Sequence, residues 1–307
     1  MNPFDVLVIG RSCLDQIAVV ERYPAENRKA PLEFRILEGG GQGGTASCCI
    51  ATLGGRVAYV GKIGDDDEGR FCRKRLETFG VDTDFLEIVP GGVTPVAYIF
   101  ITKGTGDRTI IYERNALPKI IIDETVDRLI HQSTVILLDP ETTYLGGTIA
   151  QRKPDRSVIV YDCENWRNGI TDIMKTADYF IPSADFLNSP ELGFETLSFA
   201  EKMLQLDRMI EGQLILTDGE NGAYYLVNGR IGQVRPPKVT VVDTLGAGDI
   251  FHGAFALAVS QGFHLAEAVT FSVATASLSC REYGGRRGLP DWDNALATSR
   301  MLEIIEF

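Results

Sequence analysis

Residues 238–255 combine an acidic residue with a glycine turn at the start of an apolar helical pattern. The segment reads KVTVVDTLGAGDIFHGAF, in which Gly246-Ala247-Gly248 and then Asp249 follow a β-branched strand. The first N–H groups of a helix have no intrahelical partner, and the helix dipole adds about half a positive charge there. Such an amide tip binds phosphate, and an adjacent carboxylate can take the proton of an attacking hydroxyl. The segment therefore predicts phosphoryl transfer to an alcohol.

Other readings of this chemistry are weaker. Asp249 alone could complement the helix dipole, worth ~0.3–1 kcal/mol, but the glycine turn before it and the apolar helix after it favour a functional role. The sequence lacks the GxxxxGK[ST] loop, the HRD and DFG motifs and the GxSxG elbow, which excludes P-loop kinases and protein kinases and disfavours serine hydrolases. The six cysteines form no CxxC pair, so we expect reduced, mostly buried thiols and no zinc site.

A glycine run near residue 40 predicts a second place where the backbone approaches something closely. Residues 39–44 read GGGQGG, which satisfies GxGxxG, and Asp65-Asp66-Asp67 follows about 20 residues later, as a dinucleotide fingerprint requires. In a Rossmann domain this fingerprint follows the first strand, which here ends at Gly10. An NAD-dependent dehydrogenase is therefore a minor alternative, testable by NAD(H) titration. Tight packing of the turn against the sheet is another.

The elements that must position these residues alternate between strands and helices. Residues 4–10 are a continuous apolar run closed by glycine, typical of a strand buried on both faces of a parallel sheet. Further strands are predicted at residues 57–61, 135–138, 158–161, 179–181, 214–217 and 239–242, and helices at residues 67–80, 122–132, 197–210 and 250–260. This alternation predicts an α/β fold with an open, mostly parallel sheet flanked by helices.

Two inserted stretches interrupt the alternation and predict a small β lid over the carboxyl edge of the sheet. Residues 16–38 are extended without a helix, and residues 93–115 contain two strands joined by KGTGD. Residues 224–235 form another hairpin, with Asn228-Gly229 as its turn. Without a repeat or a linker, residues 1–307 are predicted to form one domain. Exposed lid strands favour pairing across a two-fold axis in a homodimer.

Composition limits the partners of the chain. Thirty Lys and Arg residues against 42 Asp and Glu give a net charge of -12, which argues against nucleic-acid binding. No apolar run approaches the ~20 residues that span a bilayer, so no membrane partner is expected. The start, MNPFDVLVIG, lacks the basic region of a signal peptide. We therefore expect a cytoplasmic protein.

The sequence resembles the ribokinase (PfkB) family of carbohydrate kinases in three places. DTLGAGDIFHGAF resembles the C-terminal motif of the family, and GGGQGGTASCCIATLGGRVAYVGKIGDDDEG is similar to its N-terminal motif. TDGENGA, which begins at Thr217, resembles the TxGxxGA turn that contacts ATP. The motifs follow the family order across essentially the whole chain. The resemblance implies a ribokinase-like fold and ATP-dependent phosphorylation of a sugar, with Mg²⁺ and possible K⁺ as cofactors.

The resemblance also implies roles for single residues. It makes Asp249 the general base and Gly246-Ala247-Gly248 the anion hole. The residues implied to contact the sugar are Asp15, Gly39 and Gly40. Those implied to lie along the nucleotide are Thr217, Gly219 and Gly222, with Asp243 near a monovalent-cation site. Without the resemblance, Asp15 reads equally well as a turn or cap residue.

Two departures from the family pattern bear on the substrate and the metal. Many sugar kinases carry Lys or Asn and then Asn where this chain has Gly41 and Gly44, so a usual sugar-binding amide is missing. The NxxE motif that positions water around Mg²⁺ falls near residues 183–186, which read SADF. Asp185 or Glu191 is a candidate substitute, and the alternative is a metal held mostly by phosphates and water.

Within the family, GGGQGGTAS and GGRRGLPD look similar to sulfofructose kinases, and GDRTIIYERNALP is similar to ketohexokinase. Both comparisons favour a ketose-like substrate phosphorylated on a hydroxyl, with a primary one favoured. Lys29, Arg108 and Arg114 lie in the lid segments and are candidates for binding an anionic group, with ordinary surface charge as the alternative. A nucleoside kinase of the same family and a non-catalytic sugar or nucleotide sensor remain alternatives.

Overall fold

The computed structural model describes residues 3–114 and 116–307, so the last residue of the predicted lid segment, 115, lies outside the described residues. Within them, the main sheet has ten strands in the order β14-β13-β12-β11-β10-β9-β8-β1-β4-β5. Its strands are β1 (Phe4–Ile9), β4 (Val57–Gly64), β5 (Leu86–Val89), β8 (Ser133–Leu138), β9 (Val158–Cys163), β10 (Tyr179–Pro182), β11 (Gln213–Thr217), β12 (Ala223–Val227), β13 (Arg230–Val234) and β14 (Ile304–Glu306). The seven neighbouring strands β11-β10-β9-β8-β1-β4-β5 run parallel to one another. Strands β12, β13 and β14 add an antiparallel edge next to β11.

Helices cover both faces of this sheet, which confirms the predicted α/β architecture. One face carries α1 (Gln42–Thr52), α2 (Asp67–Thr78), α7 (Ala247–Ser260), α8 (Leu265–Ser279) and α9 (Trp292–Ser299). The other carries α3 (Glu124–Gln132), α4 (Gly146–Arg152), α5 (Ile170–Thr176) and α6 (Phe199–Asp207). In β1, Val6 and Val8 face the first layer and Leu7 and Ile9 the second. This two-residue period buries the strand on both faces, as its apolar run predicts.

A second sheet forms from the inserted segments and lies against the carboxyl edge of the first. Its order is β3-β2-β6-β7, with β2 (Cys13–Val20), β3 (Phe34–Gly40), β6 (Val96–Thr102) and β7 (Arg108–Tyr112). Its inner face buries Ile17, Ile36 and Ile99, with Leu245 of the glycine turn packed against them. The lid sheet is therefore in direct contact with the segment that carries the predicted chemistry.

The strand predicted at residues 239–242 is wrong, because this segment has no regular structure. The edge of β13 is instead paired with the antiparallel strand β14. The last residue of the segment, Val242, donates its N–H to the carbonyl of Cys280 at 2.8 Å. The segment passes under the lid as a linker into the glycine turn.

None of the helices in the described part of the chain is long and apolar enough to cross a membrane. All six cysteines are free and buried, as predicted.

Candidate active site

Helix α7 begins at a turn that only glycine accommodates easily. Gly246 is its N-cap with φ 72°, and a Cβ there would also lie 3.2 Å from Thr45 Cγ2. The N–H of Ile250 starts the helical ladder by donating to the Gly246 carbonyl at 2.9 Å, and Ala247 donates more weakly to Thr244 at 3.3 Å. A Cβ on Gly248 would meet nothing within 4 Å. The amide tip therefore borders open space, as an anion hole requires.

The body of α7 is fixed by close packing. A Cβ on Gly253 would lie 2.6 Å from the carbonyl oxygen of Ala46 in α1, so the two helices are in backbone contact. On another face of α7, Nε2 of the buried His252 lies 3.1 Å from the carbonyl oxygen of Ile181 in β10. These contacts hold the amide tip over the carboxyl ends of the central strands.

Asp249 lies in the first turn of α7 and is partly exposed, although protein surrounds it closely. Desolvation raises the pKa of its carboxyl above the ordinary value, and the nearby Asp162 raises it further. Burial also raises the pKa of Asp162, whose Oδ1 lies 3.6 Å from Nε2 of His252. A carboxylate with a raised pKa is a stronger proton acceptor, which suits a general base.

Asp162 was not among the residues that the sequence singled out, and its signal was local. It ends the buried run VIVYD of β9, and acidic side chains at the carboxyl ends of parallel strands meet at one edge. Asp139, which follows β8, has the same signature and was also missed. Its carboxylate accepts N–H groups from Arg11 at 2.5 Å and Glu141 at 3.0 Å, and burial raises its pKa to about 6.

Asp15, the predicted sugar ligand, lies on β2 at the base of the lid sheet. Its neighbours across the sheet are Glu38 in β3 and Ala97 in β6. A Cβ on Gly40 would collide with the Asp15 carboxylate, so this glycine makes room for the aspartate. Burial raises the pKa of Asp15 to about 6, and the guanidinium of Arg286 opposes that rise.

Close contacts also account for the other glycines among residues 39–44. Gly41 has φ 84° and lies against the backbone of Arg11, and a Cβ on Gly43 would lie 2.8 Å from the Cα of Gly10. Gly39 and Gly44 both border the side chain of Arg286. The run follows β3 of the lid sheet rather than β1 of the parallel sheet, so it is not the first strand-to-helix turn of a dinucleotide-binding βαβ unit.

Arg286, in the segment GGRRGLPD, is buried, and no motif in the sequence predicts a role for it. Its side chain is among the largest fully buried ones in the protein. Its Nη2 donates to the Gly40 carbonyl at 2.8 Å and its Nε to Thr45 Oγ1 at 3.2 Å. Its loop is held by Asp243, whose carboxylate accepts N–H groups from Leu245 and Gly284, each at 2.8 Å. Asp243 thus ties the glycine turn to the loop of Arg286.

The residues predicted to lie along the nucleotide are at the end of β11 and in the turn after it. Thr217 ends β11 beside Ser183, which follows β10. Gly219, with φ 46°, has open space where a side chain would be. Gly222 is explained by packing, since it has φ 87° and a Cβ would collide with the Val234 carbonyl.

The predicted lid cations lie in different settings. Lys29 and Arg114 are exposed, on the β2–β3 connection and just after β7. Arg108 at the start of β7 donates from Nη1 to Thr244 Oγ1 at 2.5 Å. The lid therefore contacts the residue before the glycine turn.

The segment at the NxxE position offers little to a metal. Phe186 is 1% exposed and stacks on Trp166 with ring centroids 6.0 Å apart. Asp185 and Glu191 are exposed, in short 3₁₀ helices after β10. Within residues 3–114 and 116–307, no group of three or more His, Cys, Asp or Glu side chains is placed to hold a metal ion.

Comparison with known proteins identifies what this geometry resembles. The family model of "pfkB family carbohydrate kinase" matches residues 4–292. Ribokinase of Bacillus subtilis is 28% identical over 297 residues, covering 93% of this chain and 96% of that protein. Probable fructokinase-5 of Arabidopsis thaliana is 28% identical over 280 residues, covering 82% and 85%.

Solved structures give the same fold. The crystal structure of a putative ribokinase from Agrobacterium tumefaciens superposes with a TM-score of 0.84 at 25% identity, covering 97% of both chains. Arabidopsis thaliana ribokinase complexed with ribose and ATP superposes with a TM-score of 0.81 at 24% identity, covering 98% of this chain and 100% of that one.

Proposed function

Because the chain belongs to the pfkB family of carbohydrate kinases and is thus an ATP-dependent phosphotransferase, we propose that Asp249 and the amide tip of α7 transfer the γ-phosphoryl group of ATP to a sugar hydroxyl. The single observation that carries the assignment is the position of Asp249. It lies in the first turn of a helix whose N-cap is a left-handed glycine and whose tip borders open space. The carboxylate accepts the hydroxyl proton, and the N–H groups stabilise negative charge on the transferring phosphoryl.

The acceptor is proposed to be a small ketose-like sugar, phosphorylated on a primary hydroxyl. Its hydroxyls lie against Asp15 and the backbone of Gly39 and Gly40, where a carboxylate and bare backbone adjoin. The adenine nucleotide runs along Thr217 and Gly219, at the carboxyl end of β11. The lid contacts Thr244 and Leu245 beside the glycine turn, which supports exclusion of water that would otherwise compete with the sugar as acceptor.

Mg²⁺ is proposed to be held mainly by ATP phosphates and water, since Phe186 leaves no carboxylate at the usual position. The carboxylate best placed to assist is Asp162, within electrostatic range of Asp249. Mg²⁺ would neutralise charge on the phosphates. A K⁺ site near Asp243 remains a proposal, and both oxygens of that carboxylate already accept backbone N–H groups.

The lid sheet is proposed to pair with a second copy of the chain. One row of cross-strand neighbours, Leu37, Gln16, Tyr98 and Ile111, runs across all four lid strands. Its three hydrophobic members are exposed, Ile111 by 57%. A row of exposed hydrophobic side chains on a four-stranded sheet is an unfavourable surface for a monomer.

The test is ADP release from Mg-ATP with K⁺ across a panel of ketoses, aldoses, nucleosides and phosphorylated sugars. The proposal expects turnover with at least one ketose, abolished by Asp249→Asn. Asp293→Asn is the matched control, because Asp293 is also a first-turn acid, in the distant helix α9. Turnover confined to nucleosides would favour a nucleoside kinase.

Calorimetric titration of the same panel provides an independent check on the acceptor. A sugar that is phosphorylated should also bind measurably, and binding without ADP release would identify it as a non-productive ligand.

A further inference from the structure

The guanidinium of Arg286 is buried and carries a hydrogen-bond donor without an acceptor. The residue is 1% exposed, and within the described part of the chain its Nη1 has no hydrogen-bond partner. Leaving a charged N–H donor buried and unpaired is costly, so such a donor calls for an acceptor. Since none of the described residues accepts from Nη1, the unsatisfied donor points to a ligand.

The surroundings of Arg286 show that the fold reserves space for this group. A Cβ on Gly39 would lie 2.5 Å from Nη1, and a Cβ on Gly44 would lie 2.7 Å from Nη2. Two glycines therefore accommodate the guanidinium, one at the end of lid strand β3 and one in the first turn of α1. Its Nη2 bond to the Gly40 carbonyl places it against the residue that makes room for Asp15.

We propose that Arg286 is a substrate-binding residue that donates a hydrogen bond to an uncharged oxygen of the acceptor sugar, next to the hydroxyl that Asp15 accepts from. This inference rests on the proposed function and adds the chemistry of the acceptor. A carboxylate and a guanidinium together match a pair of neighbouring sugar oxygens, one donating its proton and the other accepting. A negatively charged oxygen bound to Arg286 would be repelled by the neighbouring carboxylate of Asp15. The pair therefore favours neutral polyols over anionic sugars.

The loop that carries Arg286 is held in place by Asp243 and by its packing against the glycine turn. Asp243 accepts the N–H of Gly284 at 2.8 Å, and Gly284 and Gly285 have φ values of 101° and 57°. This turn, whose positive φ values suit glycine, packs against Gly246, since a Cβ on Gly246 would lie 3.5 Å from the Cα of Gly285. The sugar-binding donor and the catalytic amide tip are therefore built on adjoining turns.

The experiment measures KM and kcat for D-fructose and D-ribose and, for whichever of them the intact protein phosphorylates, for its monodeoxy derivatives. Removing one particular hydroxyl should raise KM about 10- to 100-fold, as expected for a lost hydrogen bond to a charged donor. In Arg286→Met the KM for the parent sugar should already be raised by that factor. The KM for the same deoxy sugar should then equal the KM for the parent sugar.

A second variant guards against misfolding of Arg286→Met. Gly44→Ala keeps the arginine but places a methyl group against Nη2, and alanine favours the helix it joins. It should show the same selective loss with an unchanged melting temperature. Arg287→Met is the control, because Arg287 is half-exposed and pairs with Glu38 at 3.6 Å; it should leave the deoxy-sugar pattern intact.

Each outcome decides the proposal. If each deoxy sugar raises KM by the same factor in Arg286→Met as in the intact protein, Arg286 contacts none of the removed hydroxyls. That result would overturn the inference about Arg286 while leaving the kinase assignment unchanged. A preference for phosphorylated or sulfonated sugars that disappears in Arg286→Met would overturn the neutral-oxygen assignment. Absence of turnover with every sugar would overturn the proposed function first, and this inference with it.

Discussion

Replacing Asp249 by Asn should separate activity from stability, because the carboxylate proposed to act as the general base is also one whose burial opposes folding. Asn keeps the shape of the side chain but cannot accept the hydroxyl proton. A positioned general base contributes about 10²- to 10⁴-fold to the rate, so kcat should fall by that factor. Nucleotide affinity should stay within about threefold, because the glycine turn is unchanged.

The stability change has the opposite sign. Burial and Asp162 raise the pKa of Asp249 in the folded protein, so ionisation costs folding free energy. This cost begins as pH rises through the ordinary value near 4 and is complete above the folded pKa. Burial raises the pKa of Asp249 to about 8, and each pH unit between the ordinary value and pH 7 is worth about 1.4 kcal/mol. At pH 7 the Asn variant should therefore be more stable by up to about 4 kcal/mol, or about 6 °C in melting temperature for a chain of this length.

The assays are coupled ADP release and thermal unfolding of Asp249→Asn, with Asp293→Asn as the control. The control changes a first-turn acid of α9 and should keep its activity while losing a few tenths of a kcal/mol of helix-dipole stabilisation. The reasoning is refuted if Asp249→Asn keeps kcat within tenfold. It is also refuted if the activity loss comes with a lower melting temperature, which would mean that the carboxylate is structural.

Three further changes test separate parts of the site. Asp162→Asn removes the neighbouring charge that raises the pKa of Asp249, so the acidic limb of the kcat/KM profile should move to lower pH; an unmoved limb contradicts the coupling. Gly248→Ala places a methyl group in the open space before the amide tip and should raise the KM for ATP at least about tenfold with no loss of melting temperature, whereas unchanged ATP kinetics would show that no phosphate approaches there. Ile111→Glu puts a charge into the exposed row of the lid sheet, and light scattering should then report a monomer where the unchanged protein gives a dimer; a wild-type monomer disproves the pairing.

The fold was largely readable from the chain because its signals are local. The two-residue burial of β1 and the alternation of strands with helices follow from runs of apolar residues. The wrong prediction of a strand at residues 239–242 has the same origin, because this segment has the β-branched composition of a strand. Its N–H groups instead go to a distant loop, since those of Val242 and Asp243 both donate to the carbonyl of Cys280, a contact that no local pattern reveals.

The sequence by itself determined the local structure at residues 246–249, because a left-handed glycine, the free amides after it and an acid in the first helical turn are all properties of adjacent residues. Only the tertiary structure decided what surrounds that turn. Asp162 on β9 lies within electrostatic range of Asp249 on α7, and Arg286 donates to Gly40 across 246 positions of the chain. Local patterns carry no information about such distances, so the buried guanidinium and its unsatisfied Nη1 became visible only in the folded structure.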